Sequence, residues 1–198
     1  MPLENMHLTA LEIIHSVTDP EVQSIIVRLG PATIATLTDY TYWHRARLIK
    51  PMLSYDAAAI ALSFVPAAGE GLPLATVDSL ERSKADDNFT YHHLRRDLFN
   101  VVKKTGVSIT SRYVVPTSHI TIGRFLCQND HDSPEKMEFF IKKIEKINEW
   151  LETEYWPKDG EARKEGSEWI VGHEKGLNFR EGRLWYGGGN TVRLGKGF

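Results

Sequence analysis

MHLTALEII (residues 6–14) and SHITIGRFL (residues 118–126) decide how this chain is read. Both are short, mostly apolar and rich in β-formers, which predicts a strand over each. Both carry the same small polar pair, His7-Leu8-Thr9 and His119-Ile120-Thr121. On a strand, residues i and i+2 share a face, so each imidazole emerges beside a threonine hydroxyl while Leu8 and Ile120 point into the core. The two pairs lie too far apart in the chain to be a local repeat. Facing one another, they would present two imidazoles and two hydroxyls to one small anion. A phosphate suits such a site, because hydroxyls and protonated imidazole donate to its oxygens while neutral imidazole takes a proton from water. Phosphodiester hydrolysis needs one base and one acid, and two histidines in opposite protonation states supply both without a metal or cofactor.

Outward from these stretches, Thr18-Asp19-Pro20-Glu21 supplies a helix start, with a capping residue, an early proline and a glutamate three places on. Gly30-Pro31 interrupts that helix. Trp43 to Leu53 and Ala57 to Val65 predict an antiparallel hairpin with a tight turn at Ser54-Tyr55-Asp56, and Pro66 to Pro73 and Glu81 to Asn88 predict loops. Thr90 to Lys104 has helical spacing, with His92, His93, Arg95 and Arg96 on its solvated face. Ser133-Pro134 opens the clearest helix, striped by Met137, Phe140, Ile141, Ile144, Ile147 and Leu151. Short strands follow over Trp169 to His173, Leu177 to Arg180 and Arg183 to Tyr186, before a glycine-rich tail that predicts loose chain. Strand and helix alternate within each half, and each half owns one histidine–threonine strand. The expectation is an α+β fold: residues 1–198 as a single domain of two lobes.

Composition narrows the function. A chain of 198 residues, 41% hydrophobic and 25% charged, has the makeup of a globular domain. Its net charge of −2 excludes a global polyanion-binding field, so phosphate recognition has to be local. Local basic tracts exist: Arg45, Arg47 and Lys50 lie in an acid-free stretch, as do Lys103, Lys104, Arg112 and Arg124. The single cysteine, Cys127, allows no internal disulfide and no thiolate metal cluster. With neither a membrane-length apolar run nor a basic-then-apolar leader, the expectation is a cytoplasmic or nuclear protein. H-E-x-x-H and G-x-S-x-G are absent, and the Gly195-Lys196 pair lacks the upstream glycine and following hydroxyl of a phosphate loop.

The paired H-x-T stretches resemble the motifs of the two-histidine (2H) phosphoesterase superfamily, which includes RNA 2',3'-cyclic phosphodiesterases. His119-Ile120-Thr121-Ile122-Gly123-Arg124 is similar to the second motif of the bacterial and archaeal branch, where an arginine often follows the threonine by three places. From Met1 to about Tyr186 the chain also resembles the fungal branch described as RNA ligase or cyclic nucleotide phosphodiesterase. The resemblance implies antiparallel sheets flanked by helices, with the active cleft between two lobes. It implies His119 as the base that activates water, His7 as the acid at the leaving 3' oxygen, and Thr9 and Thr121 as holders of the non-bridging oxygens. The labels of acid and base are interchangeable as far as the residues tell. Family members carry a strand and a helix before the first motif, whereas six residues precede His7, which predicts a truncated first lobe with an unpaired sheet edge.

Two more residues join the expected substrate site. Tyr55, in the hairpin turn, has the chemistry to stack on a base. Arg124 could hold phosphate, although its odd offset from Thr121 turns it away from the His119 face on a regular strand. Arg45 and Arg47 share a strand face, and His173 has no partner motif and reads as structural. The expected reaction is hydrolysis of a 2',3'-cyclic phosphate on an RNA end or nucleotide to a 2'-phosphate, with no cofactor, membrane or obligate protein partner indicated. The alternatives are a non-catalytic nucleotide- or RNA-binding module and a phosphodiesterase for another linkage such as 2',5'-oligoadenylate.

Overall fold

The computed structural model describes residues 2–70, 88–110, 118–158, 164–183 and 188–198. Helices α1 (Asp19–Thr38), α2 (Tyr40–Trp43), α3 (Tyr91–Lys103) and α4 (Pro134–Tyr155) combine with strands β1 (Arg47–Tyr55), β2 (Ala59–Ala67), β3 (Ser118–Arg124), β4 (Glu168–Ile170), β5 (Asn178–Glu181) and β6 (Asn190–Leu194). The fold class is α+β. Four strands form one sheet in the order β3-β2-β1-β4, and β5 and β6 form a separate antiparallel hairpin. None of the described helices is long and apolar enough to cross a membrane.

The chain divides into two compact units. The first comprises Met1–Thr9, Ile49–Val65 and Thr117–Trp169, and the second comprises Ala10–Leu48, Pro66–Pro116 and Ile170–Phe198. They do not correspond to the two halves of the sequence, and both histidine–threonine stretches fall in the first.

In the first unit, α4 begins as its sequence dictates: Ser133 accepts from the Lys136 N–H, and Pro134, lacking a donor, costs nothing in the first turn. Ile144 and Leu151 are buried on its inner stripe. The helix is tied to β1 by side chains. The Asn148 amide accepts from the Leu53 N–H at 2.7 Å and donates to the Leu53 carbonyl at 3.0 Å, while the Trp156 indole donates to Pro51 at 3.0 Å. These bonds satisfy strand groups that the β-ladder leaves open. The β1–β2 turn closes one step later than the sequence suggests. Asp56 accepts from the Ala58 and Ala59 N–H groups at 2.7 and 2.8 Å, and Tyr55 is still strand.

In the second unit, α1 starts where Glu21 accepts from both the N–H and the hydroxyl of Thr18, at 2.8 and 2.7 Å. Gly30, at φ 71, breaks the helix, and Pro31 restarts it. Leu94, Leu98 and Val102 of α3 are shielded from solvent, each contributing about 1.5–3 kcal/mol through burial. The C-terminal segment corrects the expectation of loose chain. It forms β6, and Arg193 clasps Asp39 at the end of α1 with bonds of 3.0 and 2.8 Å. Beyond it, the Lys196 N–H donates to the same carboxylate and the Phe198 N–H to the His173 carbonyl. Gly195 lies so close to the Thr38 carbonyl that any side chain would collide with it. Both of these backbone donations were invisible in a string of glycines.

Candidate functional site

β3 is the outermost strand of the sheet, and β2 pairs with it antiparallel: Ala61 with Thr121, Leu62 with Ile120, Ser63 with His119 and Phe64 with Ser118. On the other side of β3 lies the first motif. The expected strand over residues 6–14 is not formed. Its place is taken by extended chain that touches β3 at a single antiparallel bridge between Leu8 and Ile120. Residues 11–15 have no ladder, and the Ile13 carbonyl instead accepts from the Thr110 N–H within the second unit.

That bridge sets the register. With Leu8 opposite Ile120, His7 falls opposite Thr121 and Thr9 opposite His119, and the two histidines are diagonal neighbours. Directly opposed Cβ atoms on antiparallel chain lie about 4.5–5.5 Å apart and diagonal ones about 7–8 Å, so two imidazoles so placed can both reach an anion between them. On β3, Ile120 takes one face and His119 and Thr121 the other, and the same alternation about Leu8 would set His7 and Thr9 on the side of His119 and Thr121. His7 is exposed; Thr9, His119 and Thr121 are half-buried. His7 Nδ1 donates to the Asn5 carbonyl at 2.9 Å, which leaves Nε2 as the nitrogen available for proton transfer.

Arg124 is placed by an irregularity. Thr121 pairs with Ala61 but Gly123 pairs with Ile60, so Ile122 is an extra residue of β3 in this register and makes a β-bulge. One extra residue reverses the alternation beyond it. Arg124 pairs with Ala59, which shares a face with Ala61 and Ser63, and is thereby turned to the face of His119. This corrects the expectation from regular parity. The Asp56 carboxyl is held below the usual carboxylate range, first by the Ala58 and Ala59 N–H groups that donate to it and then by the positive charges of Arg124 and His119. Asp56 thus stands within electrostatic reach of both.

Tyr55 does not join this set. Its ring meets Phe140 of α4 edge-on, with centroids 5.1 Å apart. Ser54, its neighbour, bonds to Ser63 on the His119 face, so alternation puts Tyr55 on the opposite, helix-covered face. A hydrophobic contact of the sheet therefore explains Tyr55 without a substrate. A concavity of about 470 Å³, lined by Phe125, His131, Phe139 and Lys143 among others, adjoins that helix as well. Arg45 and Arg47 belong to the second unit. The Arg45 guanidinium lies over the Phe198 ring, and Arg47, buried, donates to the carbonyls of Ala68 and Glu70. In the same unit, His93 caps α3 through Thr90 and Arg95 donates to the Ala10 carbonyl.

Three residues on or beside the face were missed in the sequence: Ser63, Ser54 and Asp56. Ser54 and Ser63 share a hydrogen bond of 2.6 Å between their hydroxyls. The alternation of small residues, Ala59-Ala61-Ser63, was the available signal, since it marks a face of β2 without bulk. Among the described residues, no group of three or more histidine, cysteine or acidic side chains is arranged to hold a metal ion.

No family model, curated protein or solved structure matches the chain.

Proposed function

We propose that the chain is a phosphodiesterase of the 2H type that hydrolyses a 2',3'-cyclic phosphate on an RNA end or nucleotide. The observation that supports this reading is the Leu8–Ile120 bridge, which brings the first histidine–threonine stretch alongside the second within the first unit. In the reaction, His119 takes a proton from water as the water oxygen bonds to phosphorus. The bond from phosphorus to the 3' oxygen breaks, and His7 Nε2 gives its proton to that oxygen, leaving a 2'-phosphate. The bond from His7 Nδ1–H to the Asn5 carbonyl leaves Nε2 as the nitrogen that carries the transferred proton. The hydroxyls of Thr9 and Thr121, with the Arg124 guanidinium, hold the non-bridging oxygens.

Turnover of 2',3'-cyclic mononucleotides and of an oligoribonucleotide with a cyclic end, followed by phosphorus NMR in the presence of a chelator, tests the proposal. The expected product is the 2'-monophosphate, and His7→Ala and His119→Ala should each lose on the order of 10²-fold or more in turnover. Full activity in His119→Ala refutes the mechanism, and loss in chelator alone moves the chemistry to a metal. Cleavage of 2',5'-oligoadenylate without action on cyclic ends changes the linkage. Nucleotide binding by the folded protein without turnover makes it a binding module.

A further inference from the structure

Ser63 is the residue of β2 directly opposite His119, and its hydroxyl is tied to that of Ser54 on β1 at 2.6 Å. Thr9, His119, Ser63 and Ser54 thus form one polar row across the sheet. Ala61, opposite Thr121, leaves the neighbouring position on β2 without bulk. From this row we infer that Ser63 positions the attacking water. The inference rests on the phosphodiesterase reading of the same face.

A water that gives one proton to His119 has a second hydrogen to place, and it attacks best when both hydrogens are held and a lone pair is aimed at phosphorus. Directly opposed Cβ atoms are about 4.5–5.5 Å apart, a span in which one water fits between an imidazole nitrogen and a serine oxygen. Ser54 and Ser63 share one hydrogen bond, and with Ser63 as its donor the Ser63 lone pairs are left for the water. Ser54 fixes the direction of that hydroxyl. The oxygen–phosphorus bond forms from the water so held, its first proton passes to His119, and its second stays on the new phosphate oxygen until it is lost to solvent. Nothing in this step requires a group the face does not carry.

The prediction is a lower rate without weaker substrate binding, because the water takes no part in holding the cyclic phosphate. Ser63→Ala should lose on the order of tenfold to a hundredfold in kcat with KM unchanged, Ser63→Thr should restore most of it, and Ser54→Ala should show a smaller loss in the same direction. Methanol provides the readout that a structural role would leave alone. It has one O–H for His119 and a methyl group where the water's second hydrogen meets Ser63. In mixed solvent, Ser63→Ala should therefore raise the share of methyl phosphodiester product over hydrolysis. An equal product ratio in wild type and Ser63→Ala, or a loss in KM alone, overturns the role of Ser63 and leaves the phosphodiesterase reading intact. Absence of any turnover in the folded wild-type protein overturns both.

Discussion

Replacing Thr121 by valine removes one hydroxyl and almost nothing else. The residue is half-buried on β3, its backbone pairs with Ala61, and valine keeps the β-branched shape that a strand favours. With the branched shape and the backbone pairing kept, folding stability should change by less than about 0.5 kcal/mol. The effect on catalysis should be much larger. A hydrogen bond to a charged group is worth about 1.5–3 kcal/mol, and the phosphate gathers charge as the water adds. Removing it should lower kcat/KM roughly 10- to 150-fold at a conversion of 1.36 kcal/mol per factor of ten. Steady-state kinetics on a 2',3'-cyclic nucleotide, paired with thermal melts of both proteins, reads the two quantities separately. A loss below about threefold with the melt unchanged would refute the assignment of this hydroxyl to the phosphate.

Arg124→Gln should raise KM by about tenfold with a smaller change in kcat, if the guanidinium that the bulge turns to the His119 face contacts the ground-state phosphate; unchanged KM would confine Arg124 to its interaction with Asp56. In the second unit, Arg193 lowers the carboxyl pKa of Asp39 by hydrogen bonding, so the ionised pair contributes fully above the ordinary value of about 4 and is lost as pH falls through the lower folded value. Asp39→Asn should therefore melt earlier at neutral pH and converge with wild type as the solution is acidified below about pH 4. Melting curves that stay parallel down that range would show that the clasp contributes nothing to stability.

The helices were legible because local chemistry decides them. Thr18 with Glu21, and Ser133 with Pro134, mark their starts; the stripe of α3 faces inward as its spacing requires, and on α4 Ile144 and Leu151 are buried while Ile147 is exposed. The hairpin of β1 and β2 was legible to within a few residues. The first motif strand was not, because alternation shows that a segment could pair and not whether a partner runs alongside it; beyond Thr9 none does so as a ladder. Regular parity could not show the turn of Arg124, because the one extra residue of the bulge, Ile122, has no signature in composition. For Tyr55 the sequence left two uses open, since an aromatic at a turn is equally suited to a base or to a helix, and its ring meets Phe140 of α4. The four residues of the histidine–threonine pairs were named from the sequence, while Ser54 and Ser63 needed the register of three strands before they had any neighbours to be judged by.

The first motif meets β3 through one rung, and a rung has no cooperativity. A ladder opens only when several bonds yield together, whereas a lone bridge exchanges on its own at the low end of the local free-energy scale. If His7 and His119 act on one phosphate as proposed, His7 joins the site only while the bridge is closed, and the apparent affinity should be the intrinsic affinity diluted by that fraction. A phosphate seated between His7 and His119 would act as the missing second rung. Bound ligand should then slow amide exchange around Leu8 far more than around α4, and activity should fade on warming while the helical signal is still whole.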